Sequence, residues 1–486
     1  MRTMGREISR QEFLRGAVGA LAAGALANSG RAAADPGIDW AGLASSIGGK
    51  VVLPANGGAF TSAKQVFNSL YDGSNPAAVV TVTSQSDVEK AVAFAVANKL
   101  KIAPRGGGHS YTGASTATGA MVLDLRGLPG GVKFDSATNT VTVPAATHLY
   151  AVHEALAGVG RAIPTGSCPT VGVGGLAFGG GLGADSRHAG LTCDALRSAT
   201  VVLPSGETVT ASADDHPDLF WALRGGGGGN FGVTTSMTFA TFPAAGADVV
   251  RVDFPPATAA EVLIGWQKWL AAADRNTWGL VDLSVGQGQG ASGGNCHVLA
   301  TCPSGSGAAT TEAIKSSVGI QPSGTEIKSF AHMELVRYLA GGSATSSPRG
   351  FVAGSDVIDT LSSGAAQAIV AAIGKWPPAS GRAAAIIDTL SGAVADVDPG
   401  ASAFSWRRQA AVVQWYAETP NAAQVGTANQ WVTAHQVVQP FSVGGYVNYL
   451  EPNTQAVRYF GSNLARLSAI RQQFDPNRVM YSGLTF

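Results

Sequence analysis

Two stretches decide how this chain is read: Arg105-Gly-Gly-Gly-His-Ser110, and Gly166-Ser-Cys-Pro-Thr-Val-Gly-Val-Gly-Gly-Leu-Ala-Phe-Gly-Gly-Gly-Leu-Gly183. The first follows Lys101-Ile-Ala-Pro104, an apolar run that predicts a strand. A glycine loop leaving a strand brings the backbone close to a ligand and aims successive N–H groups at an anion, which suits a pyrophosphate. The second stretch contains Gly172-x-Gly174-x-x-Ala177, a superficial match to a dinucleotide fingerprint. Pro164 and Pro169 interrupt the strand that should precede it, and the acidic residue expected further on is poorly placed. An NAD-type β-α-β unit is therefore the weaker reading.

Upstream, Val79-Val-Thr-Val82 predicts a strand and Ser86-Asp-Val-Glu89 a capping box. The helix it opens carries Val88, Val92, Ala95 and Val96 on one face, and 101–104 returns as a strand. Further strands are expected over 121–125 and 140–144, then a helix over 149–157. A hairpin over 201–209 turns at Ser205-Gly206, a short helix over 218–224 runs into the glycines 225–229, and a strand follows over 233–242. Near Pro243 the pattern changes to longer helices (257–273, 364–375, 422–435) between short strands, a separate α+β unit. The chain closes on an amphipathic helix over 457–474 and Asp475-Pro-Asn477; the Gly/Ser stretches 286–294 and 304–307 read as loops.

The chain has 486 residues, long for one domain and ordinary for two. With 45% hydrophobic and 13% charged residues it can bury a large core. Its net charge is zero, so nothing offers electrostatic affinity for nucleic acid. At the N-terminus, Arg2, Arg6, Arg10 and Arg15 precede a short apolar run and Ala32-Ala-Ala34, the pattern of an export signal over 1–34 cleaved before Asp35. Ser9-Arg-Gln-Glu-Phe-Leu-Arg15 resembles a twin-arginine signal in which Gln11 replaces the second arginine. The apolar run is too short to span a bilayer, so a secreted or cell-envelope protein without stable membrane insertion is expected. Of the four cysteines, Cys193 reads as a core thiol, and Cys296 and Cys302 as either a disulfide or two buried thiols. None has zinc spacing, and His148 and His153 would not share a helical face, so no metal site is expected.

Cys168 is the exception. R-G-G-G-H-S at 105–110, C-P-T-V-G-x-G-G from Cys168 and G-N-F-G-V from Gly229 occur in order with Tyr446-Val-Asn-Tyr449, Tyr459-Phe-Gly-x-Asn-x-x-Arg-Leu467 and Phe474-Asp-Pro-Asn477. The combination, covering roughly residues 50–486, resembles the FAD-linked oxidases of the berberine-bridge-enzyme type. That resemblance implies an α+β fold: a two-part FAD-binding domain of the PCMH type, over 35–244 and 446–486. Inserted between the parts would be an α+β substrate domain, 245–445, an antiparallel sheet covered by helices.

The resemblance also implies FAD bonded twice, at its 8α-methyl to His109 and at C6 to Cys168. An imidazole and a thiol are the nucleophiles such chemistry needs. Around the cofactor it places Arg105, Gly106, Gly107, Gly108, Ser110, Gly113, Val171, Gly172, Gly174, Gly175, Gly179, Gly183, Asn230, Gly232 and Val233, with Tyr446 and Asn448 on the substrate side. Leu176 stands where plant-type members carry a histidine, and Gly354 where a lysine is usual. Tyr446 matches the family's base, Tyr449 is the alternative, and Asp388 in Ile386-Ile-Asp-Thr-Leu-Ser-Gly392 is expected to present a carboxylate to the tyrosine. Trp406-Arg-Arg408 and Gln414-Trp-Tyr416 have the look of strand residues lining a cavity or packing a core. The expected reaction oxidises an alcohol or hemiacetal carbon of a sugar or secondary metabolite. Val171, the residue such oxidases use where oxygen is admitted, points to O2 as acceptor and peroxide as product. A dehydrogenase with another acceptor, or a non-redox flavoprotein, is the alternative.

Overall fold

The glycine loop at 105–110 leaves a four-stranded sheet ordered Lys50–Val52, Ala78–Thr81, Met121–Asp124 and Ile102–Arg105, with the last three strands parallel. This is a computed structural model, and it describes residues 37–286, 294–377, 380–419, 422–433 and 437–486. The export segment expected over 1–34 and most of the loop expected at 286–294 lie outside the described residues. The helix crossing between the first parallel strands, Gln85–Ala97, has its cap two residues before the predicted box. Ser84 caps it by accepting the Asp87 N–H at 3.1 Å. Glu89, which would end a box starting at Ser86, accepts from Gln85 Nε2 and Thr208 Oγ1, while the Asp87 carboxylate accepts from Gly48 N, Thr83 N and Thr83 Oγ1. Those bonds hold it down at about 2 despite burial.

A five-stranded antiparallel sheet follows, ordered Lys133–Asp135, Thr140–Pro144, Val233–Ala240, Leu196–Val202 and Thr208–Ser212. The helix Leu149–Ala157 falls where the periodicity predicts it. The chain's end returns to this part of the molecule: Ile102 N–H donates to Val479 O and Tyr481 N–H to Ile102 O. Asp475 locks the returning segment by accepting from Val479 N and Met480 N. The predicted C-terminal helix is broken in two, Val457–Phe460 and Leu464–Phe474, because Gly461 takes a left-handed φ of +48°.

Between these segments runs an eight-stranded antiparallel sheet: Gly324–Phe330, Ala247–Phe254, Asn295–Pro303, Trp278–Val285, Ala383–Thr389, Ala411–Glu418, Phe351–Ile358 and Ser442–Gly444. Alternation along each strand sorts its residues between two faces. Val413, Trp415, Ile387 and Val281 pack under the helices Ala259–Ala272, Gly307–Val318 and Ser363–Gly374. Tyr416, Ile386, Phe351 and Leu280 cover the opposite face, where Phe67 and Tyr111 of the first part meet them. Cys296 and Cys302 sit on one strand, six positions and roughly 20 Å apart at about 3.3 Å per residue. Both are buried free thiols, so the disulfide is excluded by geometry. Two parts of the molecule are tied together by the buried Arg407–Asp194 pair at 2.8 Å, in which the guanidinium reaches both carboxylate oxygens.

Candidate active site

Gly107 and Gly172, one from each glycine stretch, meet backbone to backbone. A Cβ on either would lie within 2.4 Å of the other's amide nitrogen, so no larger residue fits there. The paired loops floor a cleft that is walled on the far side by the eight-stranded sheet. Gly106, Gly108, Gly174, Gly175, Ser110, Val171, Gly232 and Asn230 line it, as do His109, Cys168, Tyr446, Asn448 and Tyr449. A Cβ on Gly175 would meet nothing within 4 Å, and Asn230 Oδ1 is a buried acceptor without a partner. Glycine backbone lining a cleft, with an unanswered polar atom beside it, is the kind of surface that holds a dinucleotide.

Several predicted cofactor residues lie behind this surface instead. Arg105 is buried beneath the loop, paired with Asp124 at 2.7 Å and donating to Ala63 O. Gly113 packs on the Tyr71 ring, Gly183 on Thr165 O, and Gly179 on the Asn448 amide. Val233 is buried in the core under the parallel sheet. These positions shape the floor; they do not line it. The residues missed by sequence reasoning include Phe67, Tyr111, Ser346, Arg349 and the closing run Tyr481-Ser-Gly-Leu484. No motif marks them, and only the fold brings them to the cleft.

At one end His109 and Cys168 are joined by a hydroxyl chain. His109 Nε2 meets Thr170 Oγ1 at 2.9 Å, Thr170 Oγ1 meets Ser346 Oγ, and Ser346 Oγ meets Cys168 Sγ at 3.6 Å. The Phe67 ring stacks on the imidazole at 4.0 Å. Burial, with His148 and Arg349 nearby, pushes His109 down to about 3, so the ring is neutral at ordinary pH. In the tautomer whose Nε2–H donates to Thr170 Oγ1, Nδ1 carries the ring's lone pair.

At the other end the Tyr446 hydroxyl oxygen receives three N–H donors: Gly181 N at 2.8 Å, Leu182 N at 3.2 Å and Asn448 Nδ2 at 2.9 Å. Gly181 can aim its N–H this way because its φ of +92° is open to glycine. The Asn448 amide is oriented by a second bond, Nδ2 to Leu176 O at 3.0 Å. A phenol oxygen has two lone pairs and a proton of its own, so three converging donors match the phenolate better than the phenol. Burial and the neighbouring Tyr449 raise the group above its ordinary value, while the three donors act against that rise. Tyr446 is held in place by Ser355, whose Oγ accepts its N–H at 2.8 Å. Tyr449 packs edge-on against it at 4.9 Å and stacks on Tyr111 at 5.4 Å.

Asp388 does not partner this tyrosine. Its Oδ1 accepts from Trp278 Nε1 and from Thr389 N, each at 2.9 Å, and no hydrogen bond joins it to Tyr446. The cleft residue on that strand is Ile386, while Gln414 and Tyr416 supply the neighbouring strand's contribution. Gln414 donates to the Tyr111 hydroxyl at 2.7 Å. Trp415, between them, faces the helices. The lysine absent at Gly354 has no room here, since a Cβ would fall 2.5 Å from the Glu451 carboxylate. Among the described residues no group of three metal-ligating side chains is assembled, and no helix is long and apolar enough to cross a membrane.

The family model for an FAD binding domain matches residues 76–212, and that for berberine and berberine like proteins matches 445–482. The xylooligosaccharide oxidase of Thermothelomyces thermophilus is 30% identical over 436 residues, spanning 84% of this chain and 86% of that protein. The structure of Physcomitrella patens BBE-like 1 superposes with a TM-score of 0.81 at 26% identity, covering 91% of this chain and 97% of that one. Glucooligosaccharide oxidase from Acremonium strictum, which carries a 6-S-cysteinyl, 8α-N1-histidyl FAD, matches with a TM-score of 0.77 at 25% identity, covering 86% and 92%. A cleft floored by glycine loops, family models matched over residues 76–212 and 445–482, and likeness to an oxidase over most of the chain agree with one another. This chain is an enzyme that belongs to the FAD-linked oxidoreductases of the berberine-bridge-enzyme-like family, with the PCMH-type FAD-binding fold.

Proposed function

We propose that this chain is an exported oxidase that holds FAD through both His109 and Cys168 and oxidises an alcohol or hemiacetal carbon. The observation that carries the reading is the meeting, in one cleft, of a buried imidazole, a thiol and a tyrosine oxygen surrounded by N–H donors. When bound, FAD supplies a two-electron acceptor for a carbinol hydrogen and passes the electrons to O2 as peroxide.

The chain's own residues do the rest. With Nε2 turned to Thr170, His109 presents Nδ1 as the nucleophile, the atom bonded to flavin in the Acremonium enzyme. Ser346 and Thr170 hold the Cys168 thiol beside it. The glycine loops around Gly107 and Gly172 would hold the pyrophosphate through their peptide N–H groups. Tyr446 takes the substrate's O–H proton, and the donors Gly181 N, Leu182 N and Asn448 Nδ2 keep its oxygen able to do so. Val171 lines the cleft, which favours O2 over a larger acceptor. Export rests on the basic and apolar pattern of residues 1–34.

Acid precipitation of the purified protein followed by peptide mapping tests the attachment. Flavin should stay with peptides containing His109 and Cys168, and flavin wholly in the supernatant would refute it. Anaerobic reduction screened over sugars, oligosaccharides and polycyclic alcohols, with peroxide measured on readmission of air, tests the reaction. An amino terminus at Asp35 in extracellular material tests export.

A further inference from the structure

The Arg349 side chain stands in the wall of the cleft. Its Nε and Nη1 are buried and make no hydrogen bond among the described residues. Its recorded side-chain contact is the Phe67 ring, 5.6 Å from the guanidinium carbon, and Phe67 stacks in turn on His109. The backbone there is pinned, because Arg349 N–H donates to Phe67 O and Ser69 N–H to Arg349 O. Glu418 feels this cation but makes no ion pair with it, and burial pushes its carboxyl up to about 7, so it is a weak counter-charge. Buried, unanswered donors on a permanent cation are costly unless a ligand supplies the acceptor.

We infer that Arg349 receives a carboxylate of the substrate, so that the alcohol oxidised here is a hydroxy acid. This rests on the attachment through His109. That bond brings the flavin's dimethylbenzene edge to this end, and the edge carries no nitrogen or oxygen to satisfy a guanidinium. A planar carboxylate matches the N–H fork of arginine. The sheet wall of the cleft that holds Arg349 and Tyr446 presents Phe351, Ile386 and Tyr416, with Gln414 tied to the Tyr111 hydroxyl, a surface that suits an apolar or aromatic body better than a sugar's row of hydroxyls. The substrate class that follows is a ring-bearing hydroxy acid, with its carbinol at Tyr446 and its carboxylate at Arg349.

The test titrates the flavin-loaded enzyme with benzoate and with benzyl alcohol, the same ring without charge, following the visible absorbance of the bound flavin. Benzoate should bind about 10- to 100-fold tighter, the range for a charge-assisted pair in a desolvated site. Arg349→Met should abolish that difference at unchanged flavin content. Arg349→Lys, which keeps the charge and loses the fork, should retain part of it. Equal binding of the two probes, binding of neither, or undiminished benzoate binding in both variants overturns the inference. Failure of the attachment is read separately: flavin released by acid refutes the proposed cofactor link, whereas acid-stable flavin indifferent to benzoate refutes the role of Arg349 alone.

Discussion

The two ends of the cleft are built on opposite electrostatic terms. At the His109 end the groups proposed to bond the flavin have few partners: burial favours the neutral imidazole, Nε2 meets one threonine hydroxyl, and Cys168 has a long contact to Ser346. At the Tyr446 end the reacting oxygen is saturated with donors. The difference follows from what each must do. A nucleophile that is to form a permanent bond needs an exposed lone pair and no proton to lose. A base that must give up and retake a proton needs its anion stabilised, and peptide N–H groups do this without rearranging. Both ends are desolvated, and burial favours the neutral form at each. For the imidazole that is an advantage; for the phenol it is an obstacle the three donors are placed to reduce.

That contrast breaks most sharply on Tyr446→Phe. Losing the base should slow flavin reduction by about 10²–10⁴-fold while flavin attachment stays complete. A variant reduced at the parental rate would move the role to Tyr449. Next in size is Asn448→Ala, which removes one donor from the phenolate. Because Tyr446 accepts a proton only when ionised, and the Asn448 N–H lowers its pKa, the substitution raises it. The rising limb of the reduction rate against pH should therefore shift to higher pH, with a loss of about 10²–10³-fold at neutral pH. Stopped-flow reduction across the pH range measures both.

Asp388→Asn sharpens the same point by contrast. It keeps an acceptor for Trp278 Nε1 and touches no donor of Tyr446, so that limb should stay where it is. A matching shift would mean that the carboxylate turns to the tyrosine during turnover. At the other end, Thr170→Val leaves the buried His109 Nε2 without its hydroxyl, a loss of about 1–3 kcal/mol. Histidyl attachment, followed by mass spectrometry, should slow roughly tenfold, and the loaded fraction should reduce at the parental rate. The smallest effect is pH itself on attachment. With His109 held down at about 3, its free form is already present at about pH 5, so loading of apoprotein should be nearly constant from about pH 5 to about pH 8. A fall below the ordinary histidine value would show that the imidazole is not desolvated during loading.

How much was legible beforehand differs between these ends in the same way. Residues 105–110 and 166–183 are contiguous, and their glycines are dictated by local backbone approach, so the floor, His109 and Cys168 could be read directly. The cap lies at Ser84, two residues before the predicted Ser86, and Glu89 is claimed by Thr208, 119 positions away in sequence. The helix over 457–474 failed at Gly461, whose conformation periodicity does not record. Asp388 was placed beside Tyr446 by its strand alone, yet a side chain on a strand has two neighbouring strands to choose from, and Trp278 on one of them takes it.

The sequence by itself determined the fold class, the family and the FAD cofactor, and it named the two residues proposed to attach that cofactor, since the resemblance that implies them is carried by short contiguous motifs. Tertiary structure alone decided the donors around Tyr446, the hydroxyl chain through Ser346 and the unpaired Arg349. Those groups lie on different strands and loops, and hydrogen bonds between them depend on register and packing, which act across hundreds of residues and leave no pattern along the chain.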